Sequence, residues 1–415
     1  MTTATPRADS RFTPVSTRAA WFGLVVLTLI NLLGYIDRNV VPPLGVSLKA
    51  SPLHVTDVQF GALGSAFLFV YLVTAPVFGV LGDSRSRPRL IAFGVGMWSI
   101  ASLVGGLAPH YAALFGSRAA VGIGEAAYGS IAPALLADYF PERMRARAFA
   151  VLFMALPVGT ALGLITGGVM NAHYGWRSAL FVAGAPGLVL AVIALRLLDP
   201  PRGSLDAPTA PVAARTAVPS LGVYLALARL RTYRHIVLGY AAYSFGLGGI
   251  NFWMPGFLER VRGLSSQTAS VGLGGVLVLT GLTGTFAGGW IADRLEPRVP
   301  NARLLVSGVA TLAAAPVAFL ALTSPVPAVY WSAIAVAEVL VFMSTAPINA
   351  AIIEAVPTNM RASAMAACIF AIHIIGDVPS TTIIGAVSEH VGLARAVLLV
   401  PVAILVAGGW WLVVG

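Results

Sequence analysis

Gly79-Val-Leu-Gly-Asp83 closes one long apolar run, and Gly289-Trp-Ile-Ala-Asp293 closes another 210 positions later. Pro141-Glu-Arg-Met-Arg-Ala-Arg-Ala148 opens a further run and returns as Pro357-Thr-Asn-Met-Arg-Ala-Ser-Ala364 at an offset of 216, the offset that also relates Asp138 to Glu354. Two separate motifs in register to within six residues mark an internal duplication. The copies fall on either side of residues 199–232, the only long polar break, rich in Pro, Ala and Arg. The chain therefore reads as two parallel sets of six helices joined by a linker.

Six runs on each side fill the remainder, at 19–48, 58–82, 89–108, 111–138, 147–171 and 177–198, then 233–259, 268–292, 302–323, 326–354, 361–389 and 392–414. Each is of the order of the roughly 20 residues that a helix needs to cross the hydrocarbon layer. Of the 415 residues, 58% are apolar and 10% charged, against roughly a quarter charged in soluble domains. The expected fold is all-α and integral to a membrane: twelve transmembrane helices in two pseudo-symmetric halves, 19–198 and 233–415, with a tail over 1–18 and the linker over 199–232. The first 18 residues hold three arginines and no apolar core, so they read as a cytoplasmic tail and not as a signal peptide. The lone Cys368 lies inside a run and supports neither a disulfide nor a metal site.

The net charge of +10 is sorted by side and does not point to nucleic acid. With the N-terminus placed in the cytoplasm, 19 of the 26 Lys and Arg are cytoplasmic and five, Lys49, Arg177, Arg260, Arg262 and Arg395, lie opposite. That bias is expected to place both termini on the cytoplasmic side of an inner membrane. The last two, Arg38 and Arg118, stay within the bilayer, where an ionised side chain costs from about 2.5 to more than 10 kcal/mol and usually faces a cavity or a partner.

Those two arginines sit with Asp37 on the first helix and Glu125 on the fourth, at overlapping depths. Arg118 and Glu125 are seven apart and share a face, while Asn31, Tyr35 and Arg38 form a polar stripe on the first helix. An arginine keeps its proton, so any proton passed through the quartet rides on Asp37 or Glu125. Asp37 is the expected carrier, with Arg38, Arg118 and Glu125 as switching partners or head-group ligands; a static salt-bridge cluster is the structural alternative. In the second half, His373 and Asp377 share a face of the eleventh helix and Glu338 lies in the tenth. At the cytoplasmic ends, Gly79, Asp83, Arg85, Arg87 and Arg89, with Asp138 and Arg145, and in the second copy Asp293, Arg294, Glu354 and Arg361, read as a charged gate. There a carboxylate can meet a helix N-terminus and arginines can bridge acids.

The parallel six-plus-six repeat resembles the major facilitator superfamily, and the loop Gly79-x-x-x-Asp83-Ser-Arg85-Ser-Arg87-Pro-Arg89 is similar to that family's loop motif, with Ser84 and Ser86 as departures. Asn31-Leu-Leu-Gly-Tyr-Ile-Asp-Arg38, Arg118-Ala-Ala-Val-Gly-Ile-Gly-Glu125 and His373-Ile-Ile-Gly-Asp377-Val-Pro-Ser380 together resemble the Spinster family. The resemblance implies a central cavity opened alternately to each side. It also implies proton-coupled transport of an amphiphile such as a lysophospholipid or a sphingolipid-like molecule. Asp37, Arg38, Arg118 and Glu125 would then couple and bind the head group, with His373 and Asp377 in the cavity wall and Tyr35, Tyr240, Tyr243, Phe252 or Trp253 beside a tail. Organic anions or drugs, a uniporter, and a receptor or scaffold are the alternatives. No nucleophile elbow, Walker loop or zinc spacing occurs, so an enzyme is not expected. No cofactor beyond a proton gradient is expected, and a monomer can enclose the cavity.

Overall fold

A bilayer core offers the backbone no hydrogen-bonding solvent, so each apolar run closes its own hydrogen bonds as a helix. The computed structural model describes residues 16–203, 205 and 221–414. Residues 1–15 of the tail, and 204 and 206–220 of the linker, lie outside them. Twelve membrane-length segments are present: α1 Thr17–Ala50, α2 Asp57–Ser84, α3 Arg87–Gly106, α4 Tyr111–Tyr139, α5 Glu142–Tyr174 and α6 Trp176–Ala194, then α7 Arg231–Arg260, α8 Ser266–Leu295, α9 Ala302–Thr323, α10 Pro327–Glu354, α11 Ser363–Val391 and α12 Leu393–Val414. Eleven are apolar enough to span by composition. The exception, α7, spans 30 residues but carries Arg231, Arg234, His235, Asn251, Glu259 and Arg260. A short helix over Leu221–Arg229 precedes it.

Four of the described segments are interrupted, each beside a proline. Pro401 leaves Val397 O without an N–H, and α12 breaks at Val397–Leu398. Pro42 and Pro43 tighten α1 into a 3₁₀ turn at Pro42–Leu44. Pro347 has no N–H for Met343 O, and α10 breaks between Phe342 and Thr345. Pro379 likewise frees the carbonyl four residues back, and α11 widens into a π-turn over Ile372–Asp377.

The duplication is visible in the packing. In the first half α1 lies against α5, α2 and α3 against α4, and α3 against α6; in the second, α7 lies against α11, α8 and α9 against α10, and α9 against α12. Two equivalent pairs, α2 with α11 and α5 with α8, join the halves. A further repeat, not read from the sequence, is the turn at Gly175 and Gly392, both at φ 82°, where left-handed backbone excludes most side chains.

All hydrogen bonds and ion pairs found between the halves, among the described residues, gather at the end of the bundle away from the chain termini, here the distal end. Asp57 accepts both guanidinium nitrogens of Arg260 at 2.8 and 3.0 Å, Lys49 at 3.0 Å and Ser388 at 2.6 Å. Beneath it, Thr381 Oγ1 donates to Gly61 O at 2.9 Å, and Ser65 Oγ bonds Val378 O. Phe60 packs on Phe252 and Trp253 at 4.7 and 5.4 Å between centroids. Ser65 lies eight residues into α2, so the seam is about 12 Å deep. Glycine makes it possible: a Cβ on Gly61 would come within 2.2 Å of Thr381 O, and one on Gly168 within 2.4 Å of Ser270.

Such overpacking costs about 1–3 kcal/mol. Gly61→Leu is therefore expected to part the distal ends, read as faster labelling of a cysteine introduced at Ser65 by a membrane-impermeant thiol reagent.

Candidate functional site

The polar centre is built where α1 crosses α4. Asp37 is fully buried; its Oδ2 takes Arg118 at 3.2 Å and its Oδ1 takes Ser102 of α3 at 2.5 Å. Arg38, about 100° round the helix, donates to Glu125 Oε2 at 2.7 Å. The four charges thus resolve into two acid–arginine rungs between the same two helices. Close helix approach supports them: Gly94 of α3 and Gly124 of α4 have each other's carbonyl oxygens where a Cβ would stand, at 2.6 and 2.5 Å. Gly122, the small residue between Arg118 and Glu125, receives the α2 backbone at Phe67 O, 2.5 Å from its Cβ direction, and not an incoming side chain.

The rungs differ in exposure. The Arg38 side chain is 32% exposed and Glu125 5%, whereas Arg118 and Asp37 are at 3% and 0%. Both oxygens of Asp37 are occupied, but Glu125 Oε1 is buried without a hydrogen-bond partner. Arg38 lies over the rings of Tyr35, Phe67 and Tyr71 at 5.1, 4.9 and 5.5 Å, which holds the cation by its face as well as its edge.

Arg38 forms a wall common to two cavities. One lies within the first half, with Asn31, Tyr35, Tyr71, Glu125 and Tyr128 on its surface; Asn31 is held there by its bond to Leu152 O at 2.9 Å. The other lies between the halves, bounded by Arg38, Arg118, Asn251, Phe252, His373 and Asp377. His373 Nδ1 stands 2.9 Å from both carboxylate oxygens of Asp377, on the π-turn of α11. A third cavity, almost wholly apolar, penetrates the second half, with Glu338 as its one charged residue. Glu338 Oε2 accepts Thr280 at 2.6 Å. Of the aromatic candidates, Phe252 faces the central cavity, while Tyr243 and Trp253 are buried and bound to Val341 O and Thr381 O as packing groups.

The terminal-side charges pair within each half. Arg87, buried, bridges Asp138 at 2.5 Å and Asp199 at 2.7 Å. Arg145 donates to Ala137 O and Phe140 O at 3.0 Å. Gly79 borders open space, and Asp83 and Arg85 are exposed. In the second half Glu354 pairs with Arg303, which also holds Glu296, and not with Arg294 or Arg361. Arg294 lies over Trp290, and Asp293 and Arg361 are exposed. Arg303 is 216 positions after Arg87, so the repeat offset already on the sequence would have found it. Ser102, Tyr71 and the Asp57 cluster carried no comparable signal. Among the described residues no three His, Cys, Asp or Glu side chains converge as a metal site.

Residues 27–376 match the Major Facilitator Superfamily. The chain is 33% identical over 396 residues to Protein spinster homolog 3 of Danio rerio, covering 91% of this chain and 78% of that protein. It is 30% identical over 424 residues to the Probable sphingolipid transporter spinster homolog 2 of Arabidopsis thaliana, covering 95% and 87%. A crystal structure of a bacterial homologue of the human lysosomal transporter Spinster, inward-facing and unoccupied, superimposes with a TM-score of 0.87 at 22% identity, covering 96% of this chain and 97% of that one. The chain is a multi-pass membrane transporter of the Spinster family within the Major Facilitator Superfamily.

Proposed function

We propose that the protein is a proton-coupled transporter of an amphiphilic lipid, a lysophospholipid or a sphingolipid-like molecule, working by alternating access as a monomer. The observation that carries this reading is the place of Arg38, which binds Glu125 on one side and faces the cavity between the halves on the other. An anionic head group entering that cavity meets Arg38 and Arg118, and the apolar cavity of the second half can take a tail. The sphingolipid named for the Arabidopsis relative supports the same class.

Glu125 is the first proton acceptor in this conformation, since its free Oε1 can gain a proton without breaking a bond. Asp37, with both oxygens engaged, exchanges its proton in another state. The charge bias of the sequence puts the terminal side in the cytoplasm of a cell with an inner membrane, so the closed distal seam makes this conformation inward-facing.

Flux of a labelled lysophospholipid in proteoliposomes tests the reading. A pH gradient is expected to drive uptake in the wild type, and Asp37→Asn and Glu125→Gln to abolish the gradient-driven part. Uptake indifferent to the gradient would identify a uniporter, and no uptake by folded protein would point to organic anions or drugs, or to a receptor.

Arg118→Ala leaves Asp37 buried and uncompensated, a loss of about 3–5 kcal/mol. The melting temperature in detergent is expected to fall, and to recover in part when Asp37→Asn is added. Ala337 lines the apolar cavity, so Ala337→Phe is expected to slow transport of long-chain lysophospholipids more than short-chain ones in a competition series.

A further inference from the structure

A groove on the outer surface of the second half lies apart from the three cavities. It runs between the start of α7 and the end of α12, which pack as antiparallel neighbours. Arg231, Thr232 and His235 form one wall; at i, i+1 and i+4 they share a face of α7. The other wall is a stripe of α12 from Leu405 to Val414, with Gly409 and Trp410 at its centre. Polar groups gather at the terminal mouth, and the α12 wall continues about 13 Å inward as apolar surface.

Three details distinguish this groove from ordinary lipid-facing surface. The His235 ring is tilted against Trp410 at 5.7 Å between centroids; its Nδ1 is covered without a hydrogen-bond partner, which leaves Nε2 as the ring nitrogen open to the groove. The mouth is basic: Arg231 is exposed, Arg229 and Arg234 flank it, and among the described residues no acidic side chain lines the space. Gly409 is not a packing glycine. A Cβ there would meet nothing within 4 Å, whereas one on its neighbour Gly408 would come within 2.5 Å of the Leu312 backbone.

We propose that the groove holds one anionic phospholipid of the surrounding bilayer, its phosphate between Arg231 and His235 and an acyl chain lying along Gly409. Charge selects the occupant: a phosphate satisfies the guanidinium and the imidazole together, and the trough beyond them matches a hydrocarbon chain lying parallel to α12. The site is separate from the transport cavities and does not depend on what they carry.

Native mass spectrometry of the purified full-length protein, titrated with phosphatidylglycerol or with phosphatidylcholine of the same acyl chains, tests it. Phosphatidylglycerol is expected to be retained over phosphatidylcholine. Arg231→Gln is expected to weaken that retention about fivefold, the effect of one basic residue near an anionic surface. Gly409→Leu, which fills the trough and touches no other group, is expected to remove the preference while the protein stays monodisperse. Equal retention of the two lipids overturns the proposal. So does a preference that survives Gly409→Leu, since the head group would then be binding without the groove.

Discussion

Asp37 is fully buried and Arg118 shows only a trace of its surface to the central cavity, and each is tolerable inside the bilayer because the other stands against it. That mutual dependence fixes α1 to α4 at one height and one rotation. Once Asp37 is turned into the contact, the next residue along α1 points about 100° away, and Arg38 is delivered to Glu125 and to the edge of the cavity. Ser102 of α3 completes the coordination of Asp37, so the rung binds three helices and not two. The polar centre is thus rigid on its Asp37 side and more open on its Glu125 side, where one carboxylate oxygen has no partner.

The seam between the halves follows a different logic. At the distal end the contact is made by backbone approach at Gly61, Gly168 and Gly385, by short hydroxyl bonds from Ser65 and Thr381, and by the Asp57 cluster. In lipid there is no hydrophobic gain from bringing apolar helices together, so close packing and hydrogen bonds supply the attraction. Contacts of this kind are many, individually weak and readily separated as a group. The terminal ends are organised within each half by Arg87 and Arg303, which leaves the halves free to move there as units.

Twelve spans and their pairing into halves were legible because the bilayer imposes its length on every helix and because a duplication leaves fixed offsets. The quartet was legible because charge inside an apolar run is costly enough to be conspicuous. What the residues could not disclose was pairing across helices: that Asp37 takes Arg118 while Arg38 takes Glu125 depends on rotation about α1, and a spacing along one helix does not contain it. Arg260 reads only as a loop charge that orients the chain, and Asp57 is not singled out, since nothing in their neighbours signals that two loops about 200 residues apart meet. The π-turn at His373 was hidden for a subtler reason, because i and i+4 residues share a face in either helical form and only the hydrogen bonds tell them apart.

Arg38 has one guanidinium and two claimants, Glu125 on the side of the first half and whatever anion occupies the central cavity on the other. Competition for a single cation is a thermodynamic linkage. If an anion draws Arg38 away, Glu125 loses the charge that favours its ionised form, and its affinity for a proton rises. Reciprocity then requires that a proton on Glu125 strengthen anion binding by the same factor. On the proposed proton-coupled reading, sharing one side chain makes the sign of coupling positive, so that cargo and proton would be held together or released together.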